Sequence, residues 1–197
     1  MEAMTLPGCM AQQERALTEY RLAVFPGREL AALLGAEMAY GTACYGKALR
    51  WVEKPAIELL RFQARPEMED TLLRWMLRIC CQSERFPVAI NNYGSQPACP
   101  LYLRLQDDRP LRQLSAGFRT LDGWLKSNGL GSIRLQPPRL VLVSSLDPLR
   151  EREILLDFSS RMVAGSMAVE ELVLFGGEGR LVSRLPLSLS YSINKNI

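Results

Sequence analysis

The amino-acid sequence predicts an α+β fold of two similar lobes, each with an antiparallel or mixed sheet flanked by helices, around a central cleft. Strand-like and helix-like segments alternate along the chain, and the strand-helix rhythm occurs twice. Two strand-like runs of the same outline, residues 54–62 and 138–143, each carry a proline at their start. With one run in each half, both are expected near the axis that relates the lobes.

The first half begins with a predicted strand at residues 20–25, which Pro26 and Gly27 close. Apolar residues at helical spacing predict a helix over residues 28–45, and the strand at 55–63 follows. Pro66 then starts a second helix that ends near Ser83. One face of this helix is predicted to be apolar, with Met68, Leu72, Leu73, Met76, Leu77 and Cys80.

The second half opens with two predicted strands, residues 88–93 and 101–105, joined by a loop with Gly and Pro. A long helix over residues 109–128 follows, and Gly129 is predicted to terminate it. The strand at 139–145 is the second of the two similar runs.

Asp147, which precedes Pro148, is the predicted N-cap of the last helix. The apolar face of that helix is predicted to consist of Ile154, Leu155, Phe158, Met162 and Val163. Residues 169–175 and 180–187 then form a hairpin around the glycine-rich turn 176–179. This turn lacks the Lys-Ser/Thr of a phosphate-binding loop, which favours a plain hairpin turn.

Length and composition favour one globular domain. A chain of 197 residues with 48% hydrophobic and 23% charged residues can bury a sizeable core. We therefore expect a single bilobal domain over residues 20–197, preceded by a loose leader at residues 1–19. No run approaches the roughly 18 apolar residues of a membrane span, so a cytoplasmic protein without a membrane partner is predicted.

Charge and residue usage exclude several classes of function. The net charge of +3 permits a local site for an anion and does not favour a broad nucleic-acid groove. The five cysteines form no C-x-x-C pair, and the chain contains no histidine. The usual general acid or base and the commonest metal ligand are thus missing. The sequence predicts neither a metal nor a cofactor.

Alternation along the two similar runs separates core positions from cleft positions. The apolar positions expected to face the core are Ile57, Leu59, Leu140 and Leu142. The positions expected to point to the other side of the sheet are Ala56, Glu58, Arg139 and Val141. Two matching strands that present short side-chain pairs to a shared face can form a cleft.

The order of elements and the two proline-started strands resemble the two-histidine phosphoesterase superfamily, which contains bacterial 2'-5' RNA ligases and RNA 2',3'-cyclic phosphodiesterases. The resemblance covers about residues 20–187. Members carry a Pro-His-ϕ-Thr-ϕ motif, with ϕ hydrophobic, in each lobe. In this chain the frame is present at residues 55–59 and 138–142, but the four chemical positions hold Ala56, Glu58, Arg139 and Val141.

The departures from the family's motif imply that the family's reaction is lost in this chain. In the family, one imidazole acts as base and the other as acid, while the hydroxyls hold the phosphate. Ala56 cannot transfer a proton, and Arg139 stays protonated at any useful pH. A positioned acid or base contributes roughly 10²–10⁴-fold to the rate, so a chain without both is expected to be a pseudoenzyme.

Three hypotheses follow for the function. In the first, the chain is an inactive family member kept as a binding or assembly module for a protein partner. Glu58 and Arg139 then form an ion pair across the axis that fills the former phosphate site, or else both reach solvent at the rim.

In the second hypothesis, the cleft recognises RNA ends or nucleotide phosphates. The candidate ligand-binding residues are Arg139, Lys54, Arg61, Tyr45 and Trp51, with ordinary surface charge as the alternative for the basic ones.

The third hypothesis is a residual phosphodiesterase or ligase that uses groups other than histidine. Glu58 would act as general base and Arg139 as electrostatic stabiliser. A carboxylate held beside a fixed cation is a weak base, which makes this the least favoured of the three.

Overall fold

A computed structural model describes residues 17–97 and 99–189. Most of the predicted leader lies outside the described residues, but Thr18 and Glu19 already belong to the first strand. The strands are β1 (Thr18–Val24), β2 (Leu49–Trp51), β3 (Ile57–Ala64), β4 (Phe86–Gln96), β5 (Cys99–Leu105), β6 (Arg134–Leu135), β7 (Leu140–Leu146), β8 (Ala164–Val169), β9 (Glu171–Gly176) and β10 (Arg180–Pro186). The helices are α1 (Arg28–Tyr45), α2 (Glu69–Cys81), α3 (Arg109–Gly117), α4 (Leu121–Ser127) and α5 (Glu151–Ser160).

The strands form one ten-stranded sheet in the order β10-β9-β1-β3-β7-β5-β4-β8, with β2 added to β7 and β6 to β3. Every strand pair in this sheet is antiparallel. The predicted α+β class is confirmed. The two predicted sheets are the halves of one sheet: a first lobe of β10-β9-β1-β3 and a second lobe of β7-β5-β4-β8, joined where Ile57 pairs with Leu140.

The helices divide between the lobes. In the first lobe α2 contacts β10 and α3 contacts β3, whereas in the second α1 contacts β8 and α5 contacts β4. Burial alternates along β1, where Tyr20 and Leu22 are completely buried and Arg21 is half-buried. One face of the sheet therefore carries the core beneath the helices, and the other is free to form a site.

The predicted long helix over residues 109–128 is interrupted. A 3₁₀ turn at Phe118–Thr120 separates α3 from α4, and the Phe118 side chain is completely buried there. Within the turn, the Thr120 hydroxyl donates a hydrogen bond to the Gly117 carbonyl at 2.9 Å. Gly117 and Thr120 are weak helix formers, which explains why the helix is interrupted at this point. Gly129 has a φ of 73° just after α4, as expected of a terminating glycine.

The last helix begins one turn later than predicted. The Asp147 carboxylate accepts the Leu149 amide at 3.0 Å within a turn that precedes α5, so Asp147 is not its N-cap. At the other end the helix stops at Ser160, and Met162 lies beyond it with 90% of its surface exposed. The predictions of Asp147 as cap and Met162 as core are therefore wrong.

Three strands were not predicted. β2 and β6 are only three and two residues long, too short for a visible alternation. β8 has the sequence Ala-Gly-Ser-Met-Ala-Val, whose small residues carry little strand signal, and it is held by pairing with β4. No helix of the described chain is long and apolar enough to cross a membrane.

Candidate functional site

The uncovered face of the first lobe contains a cavity of about 700 Å³. Its walls come from β1, β3, β7 and β9, the segment that joins β2 to β3, and the turn between β9 and β10. The lining residues that matter most are Arg21, Phe25, Ala56, Glu58, Arg61, Val141 and Phe175.

Three of the four motif positions line this cavity: Ala56, Glu58 and Val141. The antiparallel pairing of Ile57 with Leu140 places the two motif frames side by side. Both of these paired residues are completely buried, so their neighbours in each strand face the opposite side. The cavity therefore lies where the two proline-started frames meet.

The predicted ion pair between Glu58 and Arg139 is not formed among the described residues. Glu58 instead accepts two hydrogen bonds from Arg61 of its own strand, one of them from Nη2 to Oε2 at 2.8 Å. Arg139 does not line the cavity; its Nη1 donates to Gln96 Oε1 at 2.6 Å, and its Cζ lies 5.2 Å from the centroid of the Tyr102 ring. The cavity is consequently not filled by a cross-lobe ion pair.

A bulge in β3 explains why Arg61 reaches Glu58. In the β1–β3 register Leu22 pairs with Leu60 and Ala23 pairs with Glu58, so Leu59 is an extra residue in β3. Leu59 and Leu60 are both completely buried although they are adjacent in sequence. The extra residue resets the alternation and returns Arg61 to the face that carries Glu58.

A row of three side chains crosses the cavity wall. Arg21 of β1 pairs in register with Phe175 of β9 on one side and with Arg61 of β3 on the other. All three line the cavity. Phe175 also packs edge-to-face against Phe25, with ring centroids 5.6 Å apart and planes at 64°. The wall thus combines an aromatic surface with two guanidinium groups.

The cavity is lined by charges of both signs. Three cationic side chains line it, Arg21, Lys54 and Arg61, together with four carboxylates, Glu19, Glu53, Glu58 and Glu178. Among the described residues Arg61 is neutralised by Glu58, whereas neither Arg21 nor Lys54 forms an ion pair. This composition suits a small ligand with a local negative charge better than a long polyanion.

Two of the sequence-derived ligand candidates lie elsewhere. Tyr45 donates its hydroxyl to Asp157 Oδ2 at 2.9 Å, and Trp51 donates Nε1 to Thr42 Oγ1 at 3.0 Å. The centroid of each ring lies 6.3 Å from that of Phe158, a buried residue of α5. Burial and the neighbouring Asp157 raise the pKa of Tyr45 to about 12. Tyr45 and Trp51 therefore belong to the packing between α1, β2 and α5 and do not line the cavity.

Of the five ligand candidates, Lys54 and Arg61 line the cavity, and Arg139, Tyr45 and Trp51 do not. The sequence-based reasoning missed Arg21, Phe25 and Phe175. Arg21 carried a usable signal, because it is the single charged residue in the apolar run at residues 20–25. The described residues contain no group of three or more metal-ligating side chains of the kinds His, Cys, Asp and Glu.

Comparison with known proteins yields matches in structure only. No family model matches the sequence, and no curated protein matches it. Escherichia coli LigT solved with 3'-AMP superposes with a TM-score of 0.61 at 16% identity, over 87% of this chain and 98% of that one. A Thermus thermophilus protein superposes with a TM-score of 0.63 at 17% identity, over 88% of this chain and 100% of that one. A structure described as a phosphoesterase gives 0.60 at 18% identity, over 88% and 99%.

These superpositions identify the fold as that shared by LigT and a structure described as a phosphoesterase. The resemblance inferred from the two proline-started strands is confirmed at the level of the fold. LigT is also similar in length to this chain, since nearly all of the LigT chain is covered. Identities of 16–18% establish the fold alone, and the chemistry has to be argued from the residues in the cavity.

Proposed function

We propose that this chain is a catalytically inactive protein of the LigT fold that binds a nucleotide, or the phosphate end of an RNA, without turning it over. The observation that carries the proposal is the cavity of about 700 Å³ at the motif positions, where Ala56 and Val141 supply no group for proton transfer. The free thiols of Cys44 and Cys81 are exposed, in keeping with the reducing cytoplasm that we propose as its location.

The side chains at the motif positions argue against turnover. The chain has no histidine, so neither the acid nor the base of the two-histidine reaction can be replaced by an equivalent imidazole. Glu58 accepts two hydrogen bonds from Arg61, so its carboxylate oxygens are already engaged within the protein. Arg139 binds Gln96 and Tyr102 away from the cavity, so it does not stand opposite Glu58 as an electrostatic stabiliser.

The cavity has the size and the groups that a mononucleotide requires. Its volume of about 700 Å³ lies within the range of small-ligand sites, roughly 300–1,000 Å³. Phe25 and Phe175 offer ring surfaces for a base, and Arg21 offers a guanidinium for a phosphate. LigT itself has been solved with 3'-AMP, ATP and NADP⁺, which makes nucleotides the first ligands to test.

The direct test compares binding with turnover in the same protein. We expect isothermal titration with 3'-AMP and ATP to show binding, and incubation with a 2',3'-cyclic nucleotide to give no product above the buffer rate. Product formation that disappears in Glu58→Gln would show that the chain is an enzyme and would overturn the proposal. Absence of binding by every nucleotide would overturn it as well.

A matched pair of variants locates the ligand. Ala56→Trp places a large ring in the cavity and is expected to abolish nucleotide binding. Ala168→Trp makes the same change at an exposed position of β8 that does not line the cavity, and binding should persist. Thermal melts of both variants show whether each is folded. Equal binding by folded Ala56→Trp and Ala168→Trp would contradict the proposed location.

A further inference from the structure

We infer that the phosphate of the bound nucleotide is held by Arg21 and Arg61, one row away from the motif positions, and that Glu58 competes with it for Arg61. This inference rests on the proposed function, because it assigns the parts of the ligand to groups in the same cavity. The two arginines belong to adjacent strands, β1 and β3, and both line the cavity.

The pairing of these arginines is itself unusual. Arg21 and Arg61 are direct partners in the antiparallel register, and like charges at such positions repel and destabilise a sheet. Glu58 offsets the charge of Arg61 through two hydrogen bonds, but among the described residues no carboxylate pairs with Arg21. An anion placed between the two guanidinium groups would relieve the repulsion and satisfy Arg21.

Phe175, the third residue of the row, determines the orientation in which the nucleotide is expected to bind. Phe175 lies on the far side of Arg21 from Arg61, so an aromatic ring and two cations follow one another across three strands. Neighbouring strands are about 4.8 Å apart, which makes the row roughly 10 Å wide. A mononucleotide with its base over Phe175 and its phosphate at the arginines matches this order, because an aromatic face and a cation recognise those two parts.

The turn beside Arg21 leaves its guanidinium accessible. A Cβ placed on Gly179 would stand 4.0 Å from Arg21 Nη2, an ordinary contact distance, so the turn passes beside this nitrogen without crowding it. Gly179 has a φ of 78° and the preceding Glu178 a φ of 56°, a left-handed pair that folds the turn back over the strand end. An approaching phosphate therefore meets Arg21 without displacing a side chain of residue 179.

Glu58 has a different role here from the one it would have in catalysis. It occupies Arg61 and places a negative charge beside the phosphate position, so both effects oppose an anionic ligand. Removal of its charge weakens its hold on Arg61 and should strengthen phosphate binding. If Glu58 instead acted as a general base or contacted the ligand directly, the same change would weaken function.

The experiment separates binding of the phosphate from binding of the base by titrating adenosine and 3'-AMP into wild type and four variants. In Arg21→Ala we expect 3'-AMP affinity to fall about 10- to 100-fold, the loss typical of a charge-assisted bond, while adenosine affinity is unchanged. In Glu58→Gln we expect 3'-AMP to bind about two- to fivefold more tightly. Arg139→Ala is the matched control, since Arg139 lies outside the cavity lining, and it should change neither ligand.

Each result supports or overturns the inference. Tight 3'-AMP binding that Arg21→Ala does not weaken overturns it while leaving the proposed function intact. Weaker 3'-AMP binding in Glu58→Gln overturns the competing role of Glu58. If wild type binds neither adenosine nor 3'-AMP, the proposed function fails and the inference falls with it. Arg21→Lys keeps the charge and should keep part of the affinity, which distinguishes lost phosphate contact from a folding defect.

Discussion

Arg161 binds both carboxylate oxygens of Glu37, with Nε 3.0 Å from Oε2 and Nη2 2.9 Å from Oε1. Glu37 belongs to α1 and is only 9% exposed, and Arg161 directly follows α5. The hydroxyl of Tyr93, in β4, donates to the same carboxylate. A single carboxylate thus ties α1, β4 and the end of α5 together in the second lobe.

The first prediction concerns the stability of this contact. Arg161→Ala leaves Glu37 largely buried without its cation, so the free energy of unfolding should fall by about 2 kcal/mol. Urea unfolding followed by circular dichroism measures it. Arg150→Ala removes an arginine whose pair with Glu153 is exposed to solvent, and it should have much less effect. Equal losses in the two variants would mean that the Glu37 contact contributes no more than a surface pair.

The second prediction is a pH dependence. The hydrogen bonds from Arg161, followed by that from Tyr93, hold the pKa of Glu37 below its ordinary value of 4.5, against the opposing effect of burial. The unfolded chain therefore takes up a proton before the folded one does, so this part of the stability is present above about pH 4.5 and is lost as pH falls below it. The slope from this one group cannot exceed about 1.4 kcal/mol per pH unit.

The Glu37→Gln variant isolates this contribution. Gln does not titrate, so the free energy of unfolding of the variant should decrease less steeply below pH 4.5 than that of the wild type. Urea titrations at a series of pH values from neutral down to about 3 provide the comparison. Parallel curves for the two proteins would show that the pKa of Glu37 is not lowered in the folded state.

The third prediction compares two glycines of α1. A Cβ on Gly41 would lie 2.5 Å from Trp51 Cζ2 and 3.0 Å from Phe158 Cζ, so Gly41→Ala should destabilise the protein by about 1–3 kcal/mol. Gly35 has nothing within 4 Å of its Cβ position and is exposed in the same helix. Gly35→Ala should therefore stabilise the protein by about 0.5–1 kcal/mol. Thermal melting of both variants decides, and a shift of the same sign in the two would contradict the close approach at Gly41.

The fourth prediction concerns thiol reactivity. Cys44 and Cys81 are exposed and should react with iodoacetamide at pH 8 in the native protein. Burial raises the pKa of the Cys80 thiol to about 12 and also raises that of Cys99, so these two should stay unmodified until urea is added. Peptide mapping by mass spectrometry reads each site, with the urea-treated protein as control. Labelling of Cys80 together with Cys81 in the native state would show that α2 opens readily.

Several elements could be predicted because the local pattern and the tertiary structure agree. The helix over residues 28–45 is α1 with the same bounds, since Gly27 and Gly46 flank a run of good helix formers. The orientation of Ala56 and Glu58 also followed from alternation, because Ile57 next to them is completely buried. The break between α3 and α4 has a weak local signal in Gly117 and Thr120, but Phe118 lies within a continuous apolar stripe, so helical spacing alone does not reveal the break.

Only some of the residues that line the cavity could be predicted, because the others are brought there by tertiary pairing of strands. The bulge at Leu59 is set by pairing with β1, and adjacent leucines in a strand are the only trace of it in the sequence. Without the bulge Arg61 would not share a face with Glu58, so strict alternation along the strand does not predict their contact. The row of Phe175, Arg21 and Arg61 joins residues from three distant parts of the chain, and only the strand order reveals it.

The narrow connection between the lobes has a mechanical consequence. Between β3 and β7 one residue pair, Ile57 with Leu140, is in register, whereas β1 and β3 pair over seven positions. We expect the two lobes to bend relative to one another more easily along this line than either lobe bends internally, because few backbone hydrogen bonds join β3 and β7. Ala56 and Val141 sit beside this line on the cavity side. A ligand that contacts both residues would hold the two lobes at a fixed angle. Protection of the backbone amides of residues 56–57 and 140–141 against hydrogen exchange should therefore rise when the ligand binds.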